Sequence, residues 1–184
     1  MALQLHLVQQ GIEDVRLDSP IDVLLSVEPA LESQAEDSGQ AAAWSGEVLA
    51  MYRRWAERRR MQLQEHGPGR GRGPVILQVS GFGAFRTLQP EAGLHLLEGP
   101  ESDGGRRIVA RVRTAPGLLE EPRAADAHQI FARRLSESGD PSTVVRRYRK
   151  GIAPLVRDAR GGWRSGRIEV VLGGDFDLMA ALQQ

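Results

Sequence analysis

Four histidines, one serine in a Val-Ser-Gly-Phe-Gly phrase and two closely spaced aspartates near the C-terminus are the side chains whose types could carry chemistry. His6, His66, His95 and His128 stand far apart, without metal-ligand spacing, and the chain has no cysteine, so neither a metal nor another cofactor is expected. Ser80 is not on a nucleophile elbow, because that turn needs glycine two positions earlier and Gln78 stands there. Asp175 and Asp177 read as a helix cap and a first-turn dipole contact rather than an acid–base pair. The glycine-arginine run Gly67–Gly73 lacks the Lys-Ser/Thr of a phosphate-cradling loop and leads into a strand instead of a helix. No catalytic residue and no small-molecule substrate are expected.

The remaining chemistry is arginine. All the basic residues but Lys150 are arginine, whose planar fork suits phosphate oxygens and base stacking. The formal net charge is zero, yet residues 1–50 carry nine acidic groups against Arg16 alone. The excess of positive charge is concentrated in Ser142–Arg167, where Arg146, Arg147, Arg149, Lys150, Arg157, Arg160, Arg164 and Arg167 face only Asp158. Such a stretch is either a polyanion contact or a solvated basic face.

The elements that must position these groups follow from apolar spacing. Ile21, Val23, Leu25 and Val27 alternate as in a half-buried strand, which Pro29 ends. Trp44, Val48, Met51, Tyr52, Trp55 and Ala56 recur at helical spacing within Gln40–Glu65 and predict a core-facing stripe. Val75, Leu77 and Val79 alternate, as do Ile108, Ala110 and Val112 against Arg107, Arg111 and Arg113, which predicts a sheet with one basic, wet face. Asp126 or Ala125 starts a helix that stops at Ser138–Pro141, and Ile168–Leu172 reads as a strand turning at Gly173 and Gly174 into a short terminal helix. An apolar fraction of 41% suits a globular fold, and MALQLHLVQQ lacks the long apolar run and small-residue cleavage site of a signal peptide, so none is expected. No stretch reaches membrane-spanning length, so a cytoplasmic chain with no membrane partner is expected.

Val75, Leu77, Val79, Gly81, Gly83, Ala84, Phe85, Leu88, Glu91, Gly93 and His95, followed by Gly104, Gly105, Arg106 and Arg107, fill a phrase that resembles the codon-reading domain of bacterial class I peptide chain release factors. Upstream, Glu47, Leu49, Met51, Tyr52, Arg54, Ala56, Glu57, Arg58 and Arg59 are similar to the family's long helix, with Trp55 in place of a tyrosine. Downstream, Val145, Arg146, Tyr148, Val156, Asp158, Arg160, Val171, Leu172, Gly174, Asp175 and Asp177 resemble its C-terminal segment. The resemblance implies an α+β fold: a small antiparallel sheet packed with the long helix, with a strand–helix C-terminal segment docked on it. The implied organisation is an extension over 1–20, too short for the family's separate N-terminal helical domain, then a codon-recognition-like domain over 21–117. A linker and helix span 118–143, and the C-terminal segment covers 144–184.

Two working parts of the family have no counterpart. The family hydrolyses peptidyl-tRNA with a Gly-Gly-Gln loop on an inserted domain, whereas the Gly-Gly pairs here are followed by Arg106, Trp163 and Asp175. Only about 30 residues, Thr114–Thr143, join the two matching parts, too few for a packed domain without disulfides or metal. The loop after His95, with Gly99, Pro100, Glu101 and Ser102 ahead of Arg106 and Arg107, is shortened and lacks the family's codon-reading tripeptide. Ile108, Val109 and Ala110 stand where a His-Thr pair contacts the codon, and aliphatic groups cannot bond base edges. The resemblance therefore implies a non-enzymatic chain that docks at the decoding region of the small ribosomal subunit without reading stop codons. Arg146, Arg147, Arg149, Lys150, Arg157 and Arg160 would be its rRNA contacts, and a second polypeptide carrying a hydrolytic loop a partner. The competing expectation is a protein-interaction module that kept the fold and left the ribosome.

Overall fold

The computed structural model describes residues 2–30, 38–68, 73–99, 105–117, 126–139 and 141–177. Two compact units contain them: Met1–Ser26, Ala56–Ala92 and Arg113–Asp140 in the first, and Val27–Trp55, Gly93–Val112 and Pro141–Gln184 in the second. Among the described residues the strands pair mostly antiparallel and accompany helices, the mixed, antiparallel-rich fold expected.

In the first unit, β1 (Asp22–Pro29) pairs with β3 (Ile76–Ser80), which also pairs with β2 (Gln62–His66). β1 is buried on both faces from Asp22 to Val27, not half-buried as its alternation suggested. The second face is covered because Leu24 packs with Ile76, Ala115, Phe131 and Leu135, the last two from α4 (Ala127–Ser138). The Asp126 side chain caps α4 by accepting from the backbone N–H groups of His128 and Gln129. Residues 1–20, expected as an N-terminal extension, contain the helix α1 (Ala2–Arg16). Its buried Asp14 accepts from the backbone N–H of Gly83, just ahead of α3 (Ala84–Leu88), at 2.5 Å and from Nε of Arg86 in α3 at 3.0 Å. The other side of α1 leaves Leu5, Val8, Ile12 and Val15 exposed.

Helix α2 (Ser38–Arg58) ends earlier than the predicted Glu65. Arg60 adopts a left-handed φ of 55°, and the Met61 N–H donates to the Ala56 carbonyl at 2.9 Å, which closes the last turn and releases the chain into β2. Glycine usually marks such a stop, and its absence hid the boundary.

In the second unit the strand order is β5-β4-β6-β7-β8, with β4 at Gly93–Glu98, β5 at Arg107–Pro116, β6 at Val144–Arg149, β7 at Leu155–Asp158 and β8 at Arg164–Ser165. β4 and β6 run parallel; β4–β5, β6–β7 and β7–β8 are antiparallel. The predicted strand Ile168–Leu172 is helical instead: α5 (Ile168–Val170) runs into a wide turn over Val171–Asp175. Tertiary packing overrides the β-branched run, because helical spacing buries Ile168, Val171 and Leu172 together. Gly174, at φ 97°, lies so close to α2 that a Cβ would meet the Trp55 backbone nitrogen at 2.5 Å. The expected terminal helix through Leu178, Met179 and Leu182 falls outside the described residues. Among those described, no helix is long and apolar enough to cross a membrane, and no cluster of three or more His, Asp or Glu could hold a metal.

Candidate nucleic-acid interface

The parallel register of β4 on β6 sets His95 beside Arg146, and the antiparallel register of β6 on β7 sets Arg146 beside Asp158. These three side chains share the face that α2 covers. His95 is fully buried, with Nε2 3.3 Å from the Tyr52 hydroxyl and Nδ1 3.1 Å from the Tyr148 hydroxyl. Either tautomer is satisfied, since each hydroxyl can rotate to donate or accept. Trp44 Nε1 donates to the His95 carbonyl at 2.9 Å, and the Trp44 ring meets Tyr148 edge-on.

The network continues through Arg146, which is 1% exposed. Its Nη1 donates to the Tyr148 hydroxyl at 3.4 Å, and its Nε and Nη2 donate to Asp158 Oδ2 at 3.3 and 3.1 Å. Trp163 and Phe176 present ring faces 5.1 and 5.2 Å from the guanidinium carbon. Asp158 Oδ1 in turn accepts the backbone N–H groups of Arg160 and Gly161, at 3.0 and 2.6 Å. A buried ion pair is held only when such secondary bonds satisfy both partners, and here they do.

One expectation is corrected by this geometry. Arg146 cannot contact rRNA, because the core encloses it and Asp158 neutralises it. His95, expected with the degenerate codon-recognition loop, lies ahead of that loop in β4 and is a core residue.

Of the other predicted contacts, Arg147, Arg149 and Arg157 alternate onto the opposite face of the same strands, whereas Lys150 and Arg160 lie beyond the strand ends, Lys150 against α2. Arg147 is half-buried and bonded to Glu98 at 3.2 Å; Arg149 is exposed and donates to the Ala153 carbonyl at 3.0 Å. Lys150 is bonded to both Glu47 carboxylate oxygens, at 2.8 and 2.6 Å, with its charge 5.7 Å from the Trp44 ring centre. Arg157 and Arg160 are exposed. Of the shortened loop, the Gly99 N–H donates to the Arg106 carbonyl at 2.8 Å, Arg106 is half-buried, and Arg107 is exposed opposite Glu98. Pro100, Glu101 and Ser102 lie outside the described residues. Sequence reasoning missed Asp158, Trp163 and Phe176 as the walls of the Arg146 site. The available signal was Tyr148: in a strand, Arg146 two residues earlier must share its buried face.

Residues 26–109 match the PCRF domain. The chain is 32% identical over 125 residues to peptide chain release factor 1 of Ruegeria pomeroyi, covering 65% of this chain and 32% of that protein. To peptide chain release factor 1 of Xylella fastidiosa it is 31% identical over 132 residues, covering 67% of this chain and 36% of that one. In structure it resembles RF2 of Thermus thermophilus, with a TM-score of 0.62 at 20% identity over 98% of this chain and 74% of that one. The chain is thus similar to class I peptide chain release factors over its PCRF-matching part. It spans about a third of the length of the curated relatives it matches. The PCRF match takes in α2, with its Trp44, Met51, Tyr52 and Trp55 stripe, and β4 with His95, whereas Arg146, Tyr148 and Asp158 lie outside it.

Proposed function

We propose that this chain docks at the decoding region of the small ribosomal subunit and acts without hydrolysing peptidyl-tRNA itself, in translation termination, ribosome rescue or their regulation. The observation that carries the reading is the short connection between family-like parts: β5 ends at Pro116, β6 begins at Val144, and the described residues between them hold only the 12-residue α4. A domain able to position a hydrolytic loop does not fit in that span. Ester hydrolysis needs groups held at the reacting carbonyl, so a second polypeptide would have to supply them. Ribosome attachment then rests on rRNA phosphates and the exposed arginines, chiefly Arg149 and Arg157.

Co-sedimentation with purified small subunits tests docking directly. The chain should pellet with them at low salt and be released as salt rises, since each arginine–phosphate contact contributes through counterion release. Failure to pellet at low salt would refute docking. A second reading, a protein-interaction module that has left the ribosome, draws on the exposed apolar stripe of α1 and on Phe82, which is 58% exposed. A stoichiometric complex with a non-ribosomal protein, in place of subunit binding, would favour it.

A further inference from the structure

The register of β6, β7 and β8 places like charges directly opposite one another. Arg147 pairs with Arg157, and Arg157 pairs with Arg164, so three arginines stand in one row across three neighbouring strands. The row lies on the face opposite Arg146. It spans two strand spacings, about 10 Å. Like charges directly opposite in a sheet are destabilising, and among the described residues one counter-ion meets the three cations: Glu98, 3.2 Å from Arg147. Among the described residues the side chains of Arg157 and Arg164 make no hydrogen bond or ion pair, and both are exposed. The neighbouring row makes the contrast plain. There Arg146 faces Asp158, and the charge is neutralised.

We propose that Arg147, Arg157 and Arg164 form a phosphodiester-binding row that takes an RNA backbone along the β6-β7-β8 face. An anion laid across the row removes the repulsion that the sheet otherwise bears. A row of this length reaches more than one phosphate of a single strand, so its cations can share consecutive phosphodiesters. Arg149 on β6 and Arg107 on β5 extend the same face in the direction of Glu98, which gives the backbone a basic track rather than a single pocket. The chemistry is sequence-independent, because guanidinium groups at phosphates carry no base information. This deepens the ribosomal reading by assigning its electrostatic contact to Arg157 and Arg164 in place of the buried Arg146.

The test is the double variant Arg157→Gln/Arg164→Gln of the full chain, compared with Arg167→Gln as an exposed charge removed outside the row. Binding of a fluorescein-labelled RNA hairpin is followed by anisotropy across a salt series, binding of small subunits by sedimentation, and folding by thermal melting. The row predicts that the double variant binds the hairpin about tenfold more weakly, with a salt slope shallower by about one to two units. Its Tm should be unchanged or raised, while Arg167→Gln binds RNA as the parent does. Unchanged affinity and slope in the double variant would overturn the proposal, and so would a Tm that falls along with binding or an equal loss in Arg167→Gln. Binding of phosphatidylserine vesicles without RNA binding would also overturn it, as it would assign the row to a lipid surface. Hairpin binding through the row with no subunit binding keeps the row and refutes ribosomal docking. Subunit binding untouched by the double variant keeps docking and refutes the row.

Discussion

Arg146 and Arg147 are chain neighbours of the same type, and their environments are opposite. Arg146 is enclosed by Asp158, Tyr148, Trp163 and Phe176, whereas Arg147 sits half-exposed beside Glu98. Removing one partner of a buried pair leaves the other charge desolvated, at a cost of about 3–5 kcal/mol. Asp158→Ala should therefore lower unfolding free energy by that order in urea melts, while Arg157→Gln, one residue earlier, should stay within about 0.5 kcal/mol of the parent. Similar costs for the two substitutions would contradict the assignment of inner and outer faces. This distinction was not legible from charge counting, which treats the Ser142–Arg167 basic residues as equivalent. It depends on β6 being a strand, which the run VVRRYR signals weakly because three arginines in six residues hide the alternation. The histidine, by contrast, could be read as structural from its place in an apolar run, Leu94-His95-Leu96.

At the scale of elements, the tryptophan–tyrosine stripe of α2 was legible because helical periodicity marks a core face without any tertiary information. The cap at Asp126 was legible for a similarly local reason. The C-terminal segment was not. Ile168–Leu172 has the β-branched composition of a strand, and only its burial against α2 makes it helical. Arg54 Nη1 donates to the Leu172 carbonyl and Trp55 Nε1 to Asp177, both at 2.9 Å, so α2 satisfies polar groups that an irregular turn leaves open. Gly174 permits that approach. Gly174→Ala combines a strained φ with a clash against backbone and should cost at least about 2 kcal/mol. A Tm equal to that of the parent would show that the turn can relax away from α2.

At the scale of the molecule, similarity to class I release factors rests on the PCRF match and the related release factors, and the mixed α/β, antiparallel-rich fold resembles that of RF2. Function is a separate matter, because it lies in sites carried by the fold. With Ile108, Val109 and Ala110 in β5, and Val109 and Ala110 buried, those positions offer aliphatic groups where base readers would be needed. Affinity for ribosome complexes should thus agree within a few-fold between stop and sense codons; a tenfold preference for stop codons, about 1.4 kcal/mol, would reveal readers elsewhere. The central claim, occupancy of the decoding region without hydrolysis, is tested most directly by adding the purified chain to stop-codon ribosome complexes with and without a full-length class I release factor. The account predicts no peptide release by the chain alone and concentration-dependent inhibition of release by the full-length factor. Release by the chain alone above the no-factor background, or release by the full-length factor that the chain leaves unchanged at saturating concentration, would contradict it.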